Sequence, residues 1–457
     1  MLLLEGYTAL DLTDLRGQMC GKVLRDLGVE VVKVEPPAGD PVRRLGPFAH
    51  DTPGLERSLR FAWLNGGKQS LTLDLAQPQG RDLLLRLAEQ ADVLLESGDP
   101  GALDALGLGA TTLRARNPRL VVTSVSGFGQ DGPHRDYLAP ELVAFALGGL
   151  MYVSGDPALP PVKGPETQAS YYASLYAALG TLLALWRRDA GETPSPQPPV
   201  PREGTGGFPA EPAPATPSPN PLPPQGAGAS GYAPAGGTPP FPFAGGRGAG
   251  GVRGQGTHVD VAVQETLASQ EHLIRAFGLE GHNIERYGSQ HATVAPANVF
   301  PTKDGYVYLF VSRPHWRLLL NLMPDHDPGL DDPKWLANHL RRAHAEWINA
   351  EVERFTRQYA KDELVRLLQE NGIPCLPVNA PGEFVRDEQI QYRGLFQPTT
   401  HPALGEYAQP AFPAVMDGER VPAAAPPLLG QHTAAILRDR LGLAPAEIEL
   451  LFAQGII

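Results

Sequence analysis

The chain contains very few cysteines. Cys20 and Cys375 are the only two among 457 residues, and their wide separation matches no metal-binding or redox spacing. A chain of this length buries enough apolar surface to fold without disulfide support. The sequence therefore favours a reduced, cytoplasmic setting.

No apolar run in the sequence reaches the length of a membrane span. The best candidate, residues 174–186, falls short of the roughly 20 apolar residues that a transmembrane helix requires. The first residues include Glu5 and no basic group, whereas a secretory signal opens with a positively charged region. We therefore expect no membrane partner.

Basic residues are also in deficit. Lys and Arg number 38 against 50 Asp and Glu, which gives a formal net charge of −12. Broad nucleic-acid binding needs a surplus of cations against the phosphates, so the balance argues against it. A local basic pocket for a phosphorylated small molecule stays open. His339 and His344 are badly spaced for a shared metal and have no acid to complete a site, so we expect no metal.

One segment differs in composition from the rest. Proline and glycine together fill half of residues 193–252. Such a stretch cannot bury enough apolar surface to offset the entropy of ordering its backbone. The sequence predicts a disordered insertion over residues 192–254.

Strand and helix patterns alternate before the insertion. Short apolar runs predict parallel strands, and amphipathic stretches between them predict helices. The predicted strands are 9–12, 29–34, 70–75, 92–95 and 120–125. This alternation predicts an α/β fold with a Rossmann-like, doubly wound parallel sheet. Ligands of such sheets bind beyond the carboxyl ends of the strands, here the loops 14–18, 36–44, 96–99 and 126–130.

The pattern changes after the insertion. A strand-like VDVAV is followed by a predicted helix over 264–277. From residue 299 the sequence predicts a β-hairpin that turns at 303–305, and then several helices. This succession of elements indicates a smaller α+β domain. The last residues, EIELLFAQGII, predict a C-terminal helix.

Nine segments, taken in order, resemble the family III CoA-transferases, the carnitine dehydratase/bile-acid-inducible F family. They are LDLTDLRGQMCGKVLRDLGVEVVKVEPPAGDPVRRLGPF, LNGGKQSLTLDL, ADVLLESGDPGALDALGLG, NPRLVVTSVSGFGQDGPHRD, GQGTHVDVAVQE, VFPTKDGYVYL, NGIPCLPVN, YRGLF and PPLLGQHT. The resemblance covers nearly the whole chain except residues 192–252.

The resemblance implies a particular architecture. A large Rossmann-like domain would comprise residues 1–191 and return in residues 354–457. Residues 255–281 would form a strand and a linker helix, and residues 282–353 a small domain. Members of the family form interlocked homodimers, so we expect two threaded copies of this chain.

The resemblance also implies chemistry on an acyl-CoA. In the family an aspartate carboxylate attacks the thioester, and CoA passes through the enzyme to a carboxylic acid, with no permanently bound cofactor. The stretch 161–189 reads as a proline-bounded loop that runs into an apolar helix, and alignment of this helix through Leu179 and Gly180 puts Ser170 in the place of that aspartate. A serine ester is a poor acyl donor to a carboxylate, so a relocated acid is needed. Glu166 is one candidate, and a solvated loop acid is its alternative interpretation.

Glu141 is the second candidate acid. Its alternative interpretation is a helix N-terminal acid that interacts with the helix dipole. The racemases of the family use the same aspartate together with a histidine, and Pro140 stands at the position of that histidine. An acyl-CoA racemase therefore ranks below a transferase, and nearby His134 is predicted to be exposed.

Several positions are candidates for binding CoA. Pro36, Ala105 and Leu138 stand where the resemblance would place basic residues, so other cations must compensate. The predicted CoA-binding residues are Gly17, Gln18, Arg43, Lys68, Leu73, Asp74, Leu75, Ser97 and Gly98, with Arg44 as a further cation. The leading hypothesis is a CoA-transferase with an atypical or relocated nucleophile. The alternatives are an inactive CoA-binding or regulatory homologue and, below it, a scaffold that binds no CoA.

Overall fold

The computed structural model describes residues 3–165, 167–190, 254–270, 277, 279, 281, 283 and 285–457. Glu166 and all but the last residues of the predicted insertion lie outside the described residues. Among the helices that the structure describes, none is long and apolar enough to cross a membrane.

A six-stranded parallel sheet forms the centre of the larger part of the molecule. Its strands are β1 (Thr8–Asp11), β2 (Glu30–Glu35), β3 (Gln69–Thr72), β4 (Val93–Glu96), β5 (Val121–Ser126) and β6 (His258–Ala262). Their spatial order is β3-β2-β1-β4-β5-β6, and every neighbouring pair is parallel. The predicted α/β fold with a doubly wound parallel sheet is confirmed.

Helices cover both faces of this sheet. They are α1 (Gln18–Asp26), α2 (Leu59–Asn65), α3 (Pro78–Ala88), α4 (Ala102–Ala105), α5 (Ala110–Arg116), α6 (Glu141–Leu147), α7 (Gln168–Ala190) and α8 (Val263–Gln270). The long helix α7 packs on one face through small residues such as Ala173 and Ala177, together with Leu24 of α1. Leu84 of α3 and Leu113 of α5 pack on the other face. Because both faces are covered, the strands are apolar runs without clean alternation.

A smaller antiparallel sheet follows in the chain. It contains β7 (Ala297–Pro301), β8 (Tyr306–Phe310) and β9 (Cys375–Pro377), and the predicted turn at 303–305 does join β7 to β8. The helices around it are α9 (Trp316–Leu322), α10 (Asn338–Ala343), α11 (Ala345–Thr356) and α12 (Lys361–Glu370). Their shared core runs from Phe300 to Cys375, past the boundary at residue 353 that the sequence predicted.

The C-terminal segment returns to the large sheet. Its elements are α13 (Pro381–Arg386), α14 (Glu388–Tyr392), β10 (Phe396–His401), β11 (Gly405–Pro410), β12 (Val415–Met416), β13 (Glu419–Arg420), α15 (Thr433–Leu441) and α16 (Pro445–Ala453). Leu437 and Ile456 pack into the same cluster as Leu84. The Asp74 N–H donates to the carbonyl of Ile456 at 2.7 Å, so the end of the chain is fixed beside β3.

The strand order reverses between β1 and β4. Chain connections leave these two neighbouring strands in opposite directions, which opens a crevice at their carboxyl ends. The loops that follow the two strands are joined there. The N–H of Asp14 donates to Ser97 Oγ at 2.7 Å, and that hydroxyl donates to Asp14 Oδ1 at 2.6 Å. These hydrogen bonds therefore hold the loops after β1 and β4 together at the crevice.

A buried group of charges stabilises the end of β1. Asp11 is fully buried, with Lys68 Nζ at 2.7 Å and Lys33 Nζ at 3.9 Å. Burial alone raises the pKa of Asp11, but the two lysines outweigh it and hold this pKa below its usual range. Gly21 makes room for the pair, since a Cβ there would lie 2.3 Å from Asp11 Oδ2.

We predict that Asp11→Asn lowers the free energy of unfolding at pH 7 by about 3–5 kcal/mol, because it leaves the buried Lys68 without its counter-charge, whereas Lys33 keeps its ion pair with Asp40 at 2.8 Å. The lowered pKa also predicts the pH response. The wild-type contribution is present above the pKa of an unfolded Asp, about 3.9, and is lost as the pH falls through the lower folded value. Urea unfolding across pH 2.5–7 measures both effects.

The matched control is Asp136→Asn, whose side chain is 79% exposed and forms a surface ion pair with Arg135. A change within about 0.5 kcal/mol is expected for it. If Asp11→Asn is no more destabilising than this control, the buried pair does not hold the strand.

Candidate active site at the start of α7

Helix α7 begins at the carboxyl edge of the large sheet. Ser170 lies in its first turn and is buried. Thr167, just before the helix, has φ +66°, a left-handed conformation that costs a β-branched residue on the order of 1–3 kcal/mol. Strained backbone of this kind concentrates at functional sites. The fold thus presents Ser170 on an unusually constrained turn.

The carboxylate of Glu141 lies against this first turn. Its Oε1 accepts the N–H of Ala169 at 2.7 Å, and its Oε2 accepts the N–H of Ser170 at 3.0 Å. Oε2 also accepts the Ser170 hydroxyl at 2.5 Å. Three donors therefore converge on a half-buried carboxylate at the positive end of a 23-residue helix.

The side chain of Glu141 contacts a helix other than its own. The sequence left two interpretations open, a candidate acid of the site and an acid that interacts with the dipole of its own helix, α6, whose first residue it is. In the structure the side chain reaches across to α7 and contacts Ser170 directly. Two candidate residues, 29 positions apart in the chain, are thereby brought together. The pair places a carboxylate beside the hydroxyl at the position where the family resemblance implies an aspartate.

The loop after β1 lies one helical turn along α7. Ser174 Oγ donates to the carbonyl of Arg16 at 2.8 Å, and Ser174 follows Ser170 by one turn. The switch-point crevice and the Ser170–Glu141 pair therefore belong to one site. Sequence reasoning named the loop 14–18 as a ligand loop but missed Arg16, the only arginine in it.

Four of the predicted CoA-binding residues lie at the switch point. The N–H of Gly17 donates to the carbonyl of Asp14 at 3.0 Å, which closes the turn that starts α1. Gln18 is fully buried, and its amide binds the carbonyl of Thr13 and Asp40 Oδ2. Ser97 joins the two loops, and the next N–H, that of Gly98, donates to Glu96 Oε2 at 2.9 Å.

Three further predicted residues follow β3, at the other end of the edge. Leu73 is buried, whereas Asp74 and Leu75 are partly exposed. Asp74 Oδ1 accepts the N–H of Ala76 at 3.0 Å, which turns the chain toward α3. Because β3 lies two strands from β1, these residues are on the order of 10 Å from the switch point.

The two predicted cations are occupied within the protein. Arg43 is fully buried and binds Glu35 from two nitrogens, at 2.6 and 2.9 Å, and Glu56 at 2.8 Å. Lys68 is also buried and binds Asp11. Neither ammonium nor guanidinium is presented to solvent, so direct contact with a phosphate would require these pairs to open. Arg44 is exposed and binds the carbonyl of Ala38.

A second polar group lies on the opposite face of the sheet edge. Ser124 Oγ is 2.9 Å from His258 Nε2 and is also hydrogen-bonded to Glu96. Burial raises the pKa of Glu96 and lowers that of His258. All three line a cavity of about 190 Å³ that also contacts Asp104 and Arg135. Sequence analysis had placed Glu96 in a predicted ligand loop, 96–99, but had not named Ser124 or His258, which come from two other strands.

The remaining candidates stay apart from the site chemistry. His134 is exposed, as predicted, and stacks near Tyr137 with ring centroids 4.5 Å apart. Pro140 precedes α6 and supplies no proton-transfer group. Among the described residues, no group of three or more His, Cys, Asp or Glu is arranged to hold a metal ion. At the start of α7, the described part of the site thus combines the Glu141 carboxylate, the Ser170 hydroxyl and two amide donors, with Arg16 in the neighbouring loop.

Comparisons with known proteins agree on one family. The family model described as CoA-transferase family III matches residues 4–194 and 249–433. A succinyl-CoA–D-citramalate CoA-transferase of Chloroflexus aurantiacus is 30% identical, over 97% of this chain and 95% of that protein. Succinyl-CoA:(R)-benzylsuccinate CoA-transferase subunit BbsE of Thauera aromatica is 28% identical, over 99% and 97%. A CAIB/BAIF family protein from Brucella suis has a similar crystal structure, with a TM-score of 0.73, 25% identity and coverage of 96% of this chain and 99% of that one.

We predict that Glu141→Gln lowers the free energy of unfolding by about 1–2 kcal/mol, because a charged acceptor at the start of α7 becomes neutral. Urea unfolding at pH 7 measures the change. Glu449→Gln, an exposed glutamate on α16, is the control and is expected to stay within about 0.5 kcal/mol of the wild type. Equal effects of the two variants would mean that the Glu141 contact adds nothing to stability.

Proposed function

The chain belongs to CoA-transferase family III, and from that premise we propose that it moves CoA between an acyl-CoA and a carboxylic acid, with Glu141 as the relocated nucleophile. The observation that carries the proposal is the contact of the Glu141 carboxylate with Ser170 in the first turn of α7. CoA is a substrate in this scheme. No permanently bound cofactor is required.

The names of the relatives indicate the class of acid. The Chloroflexus protein and the Thauera protein are named for transfer from succinyl-CoA to D-citramalate and to (R)-benzylsuccinate. Succinate, citramalate and benzylsuccinate all carry two carboxylates. We therefore propose that a dicarboxylic acid is the acceptor for this chain as well.

The chemistry requires a carboxylate rather than a hydroxyl. A Glu141 oxygen attacks the thioester carbonyl, the C–S bond breaks, and CoA leaves as a thiolate. The product is a mixed anhydride between Glu141 and the acyl group. The thiolate then attacks the glutamyl carbonyl of that anhydride, which releases the free acid and leaves CoA bound to Glu141 as a thioester.

The second half of the reaction repeats these steps in reverse order. The acceptor carboxylate attacks the glutamyl thioester, and the released thiolate then attacks the acceptor carbonyl of the new anhydride. The products are the acceptor acyl-CoA and free Glu141. The N–H groups of Ala169 and Ser170 already point at the Glu141 oxygens, and such helix N-terminal donors stabilise an oxyanion. Ser170 would act as a third donor rather than as a nucleophile.

CoA would lie along the carboxyl edge of the sheet. The proposed contacts are the backbone at Gly17, Gln18, Leu73, Asp74, Leu75, Ser97 and Gly98. These residues follow β1, β3 and β4, so they extend along the carboxyl ends of the strands from the outermost strand, β3, to the switch point between β1 and β4. Arg43 and Lys68 would support this surface through their buried ion pairs, which fix the loops after β2 and β1.

The decisive test is trapping of the acyl-enzyme. The wild-type protein, incubated with succinyl-CoA and then hydroxylamine, is expected to yield a hydroxamate on Glu141 by mass spectrometry. Glu141→Gln is expected to lower CoA exchange by at least about 10³-fold, as loss of a nucleophile does in other enzymes. Calorimetry with free CoA should show that this variant still binds CoA.

Two further variants make the test specific. Adding Ser170→Asp to Glu141→Gln is expected to restore exchange, because it returns a carboxylate to the first turn of α7. Glu166→Gln, the other predicted acid, is the matched control and should retain exchange. Full exchange by Glu141→Gln together with loss in Glu166→Gln would transfer the nucleophile role to Glu166.

A second candidate function is a catalytically inactive CoA-binding subunit or regulatory homologue. It is favoured by Ser170 itself, which is buried and lacks the carboxylate. The Thauera relative is named as one subunit of a transferase, which agrees with a chain that needs a partner. CoA binding by the wild type without exchange, and exchange by Ser170→Asp alone, would support this second function over the first. A racemase finds no support, since Pro140 occupies the position of the required histidine.

We also propose that two copies of the chain associate, in the interlocked manner that the family resemblance implied. One side of α7 is apolar and exposed at regular spacing: Leu175, Leu179, Leu183 and Trp186 are each at least half exposed. A monomeric protein rarely leaves such a face open to water. Its position beside Ser170 would place a partner chain next to the site.

We predict a solution mass of twice 48.9 kDa by light scattering. Leu179→Glu is expected to shift the protein toward the monomer, because it buries a charge in the proposed interface. Leu450→Glu, an equally exposed leucine on α16, should leave the mass unchanged. A wild-type monomer at micromolar concentration would contradict the proposal.

A further inference from the structure

We propose that Arg16 binds the second, non-reacting carboxylate of a dicarboxylic acid and thereby selects diacids over monoacids. This inference rests on the proposed function and adds to it the residue that determines the acceptor. It starts from a single juxtaposition: the backbone of Arg16 is bound to α7 one turn after the Ser170–Glu141 pair.

The placement of Arg16 follows from the fold. The residue lies in the loop after β1, at the switch point where the crevice opens. The Ser174 hydroxyl holds its carbonyl at 2.8 Å, which fixes the loop against α7. One helical turn is about 5.4 Å along the axis. A ligand whose first carboxylate meets Glu141 therefore has the Arg16 loop within the length of a short carbon chain.

The guanidinium is oriented but not fully used. The carboxylate of Asp14 binds one edge of the Arg16 guanidinium, with its Oδ1 3.4 Å from Nε and its Oδ2 3.2 Å from Nη2. Asp14 is itself fixed by the Ser97 hydroxyl at 2.6 Å. Asp99 Oδ1 is 3.7 Å from Nη2. Within the described part of the chain, Nη1 makes no hydrogen bond, so one edge of the fork remains available.

The competing ion pairs are weak enough to yield to a ligand. The Asp99 side chain is 78% exposed and lies near the distance limit of an ion pair, and such surface pairs contribute roughly 0–1 kcal/mol. Arg16 is only 22% exposed, so a carboxylate reaching it would be partly shielded from water. A planar guanidinium binds carboxylates through two parallel hydrogen bonds. The second carboxylate of a diacid would make these bonds with Arg16, and a monoacid has no group that can.

The two cations predicted to bind CoA cannot take this role without breaking buried ion pairs. Arg43 and Lys68 are buried against Glu35 and Asp11. Arg16 is the cation that the described structure leaves at the switch point with an unused donor. A phosphate of CoA is the other anion that such a group binds. That possibility gives a different result in the experiment below.

The experiment compares diacids of five and six carbons with their monomethyl esters as CoA acceptors from succinyl-CoA. The pairs match in size and differ by one charge. The wild type is expected to favour the diacid. In Arg16→Gln the ratio of kcat/KM for diacid over monoester is expected to fall by about 10–100-fold, the effect of one hydrogen-bonded charge pair, and mainly through KM. Arg16→Lys should recover part of the ratio.

Two controls separate the possible causes. Arg25→Gln removes an arginine of similar exposure, 20%, that pairs with Asp26 away from the crevice, and should not change the ratio. Calorimetry with free CoA should give the same affinity for Arg16→Gln and wild type. Weaker CoA binding together with an equal loss for diacid and monoester would overturn the inference and assign Arg16 to a CoA phosphate. An unchanged ratio would also overturn it.

The role of Arg16 in diacid recognition can also be tested if the proposed function is wrong. If the wild type transfers CoA to no acid, calorimetry with each diacid and its monoester in the presence of CoA still measures recognition. Tighter binding of the diacid that disappears in Arg16→Gln would support the inference in an inactive homologue. Equal binding of diacid and monoester by the wild type would reject it.

Discussion

The site depends on one interaction, the Glu141 carboxylate bound to the first turn of α7. It joins two segments that are distant in sequence, satisfies two amide N–H groups that a helix start leaves without a partner, and places a negative charge at the positive end of the helix. The proposed chemistry rests on the same contact, because the hydroxyl of Ser170 donates to this carboxylate. Without Glu141, the described first turn would present a buried serine and two open donors.

The charges behind the site explain how an acidic chain can still bind an anionic ligand. Lys33, Lys68 and Arg43 are buried against carboxylates, so they stabilise the loops after β1 and β2 without adding positive charge to the surface. In the proposed function, anion binding would therefore fall to backbone N–H groups at the strand ends and to partly exposed cations such as Arg16. A net charge of −12 is therefore compatible with a local anion site.

Much of the fold could be predicted from the sequence. Buried strands such as VVTSVS are local signals, and the structure places this strand at Val121–Ser126, within one residue of the predicted ends, 120 and 125. The site was less accessible. The sequence pointed to Ser170 and Glu141 separately, but their contact depends on the path of a loop between two helices. Arg43 and Lys68 showed the same difficulty, because burial and ion pairing cannot be seen in a list of cations.

The substitution of aspartate by serine restricts what this chain can do. An oxygen ester of Ser170 would not be reactive enough to return CoA to a carboxylic acid, whereas an anhydride or thioester of a carboxylate is. Transfer by this chain thus requires an acid within reach of the start of α7, and in the described structure Glu141 is the carboxylate that contacts Ser170. Glutamate has one more methylene than aspartate and arises from a different helix, so it can reach the same donors from the opposite side of the turn. Under the proposed function, the loss of the aspartate would be a change in which element supplies the carboxylate, and the N–H groups of Ala169 and Ser170 would bind that carboxylate from the start of α7.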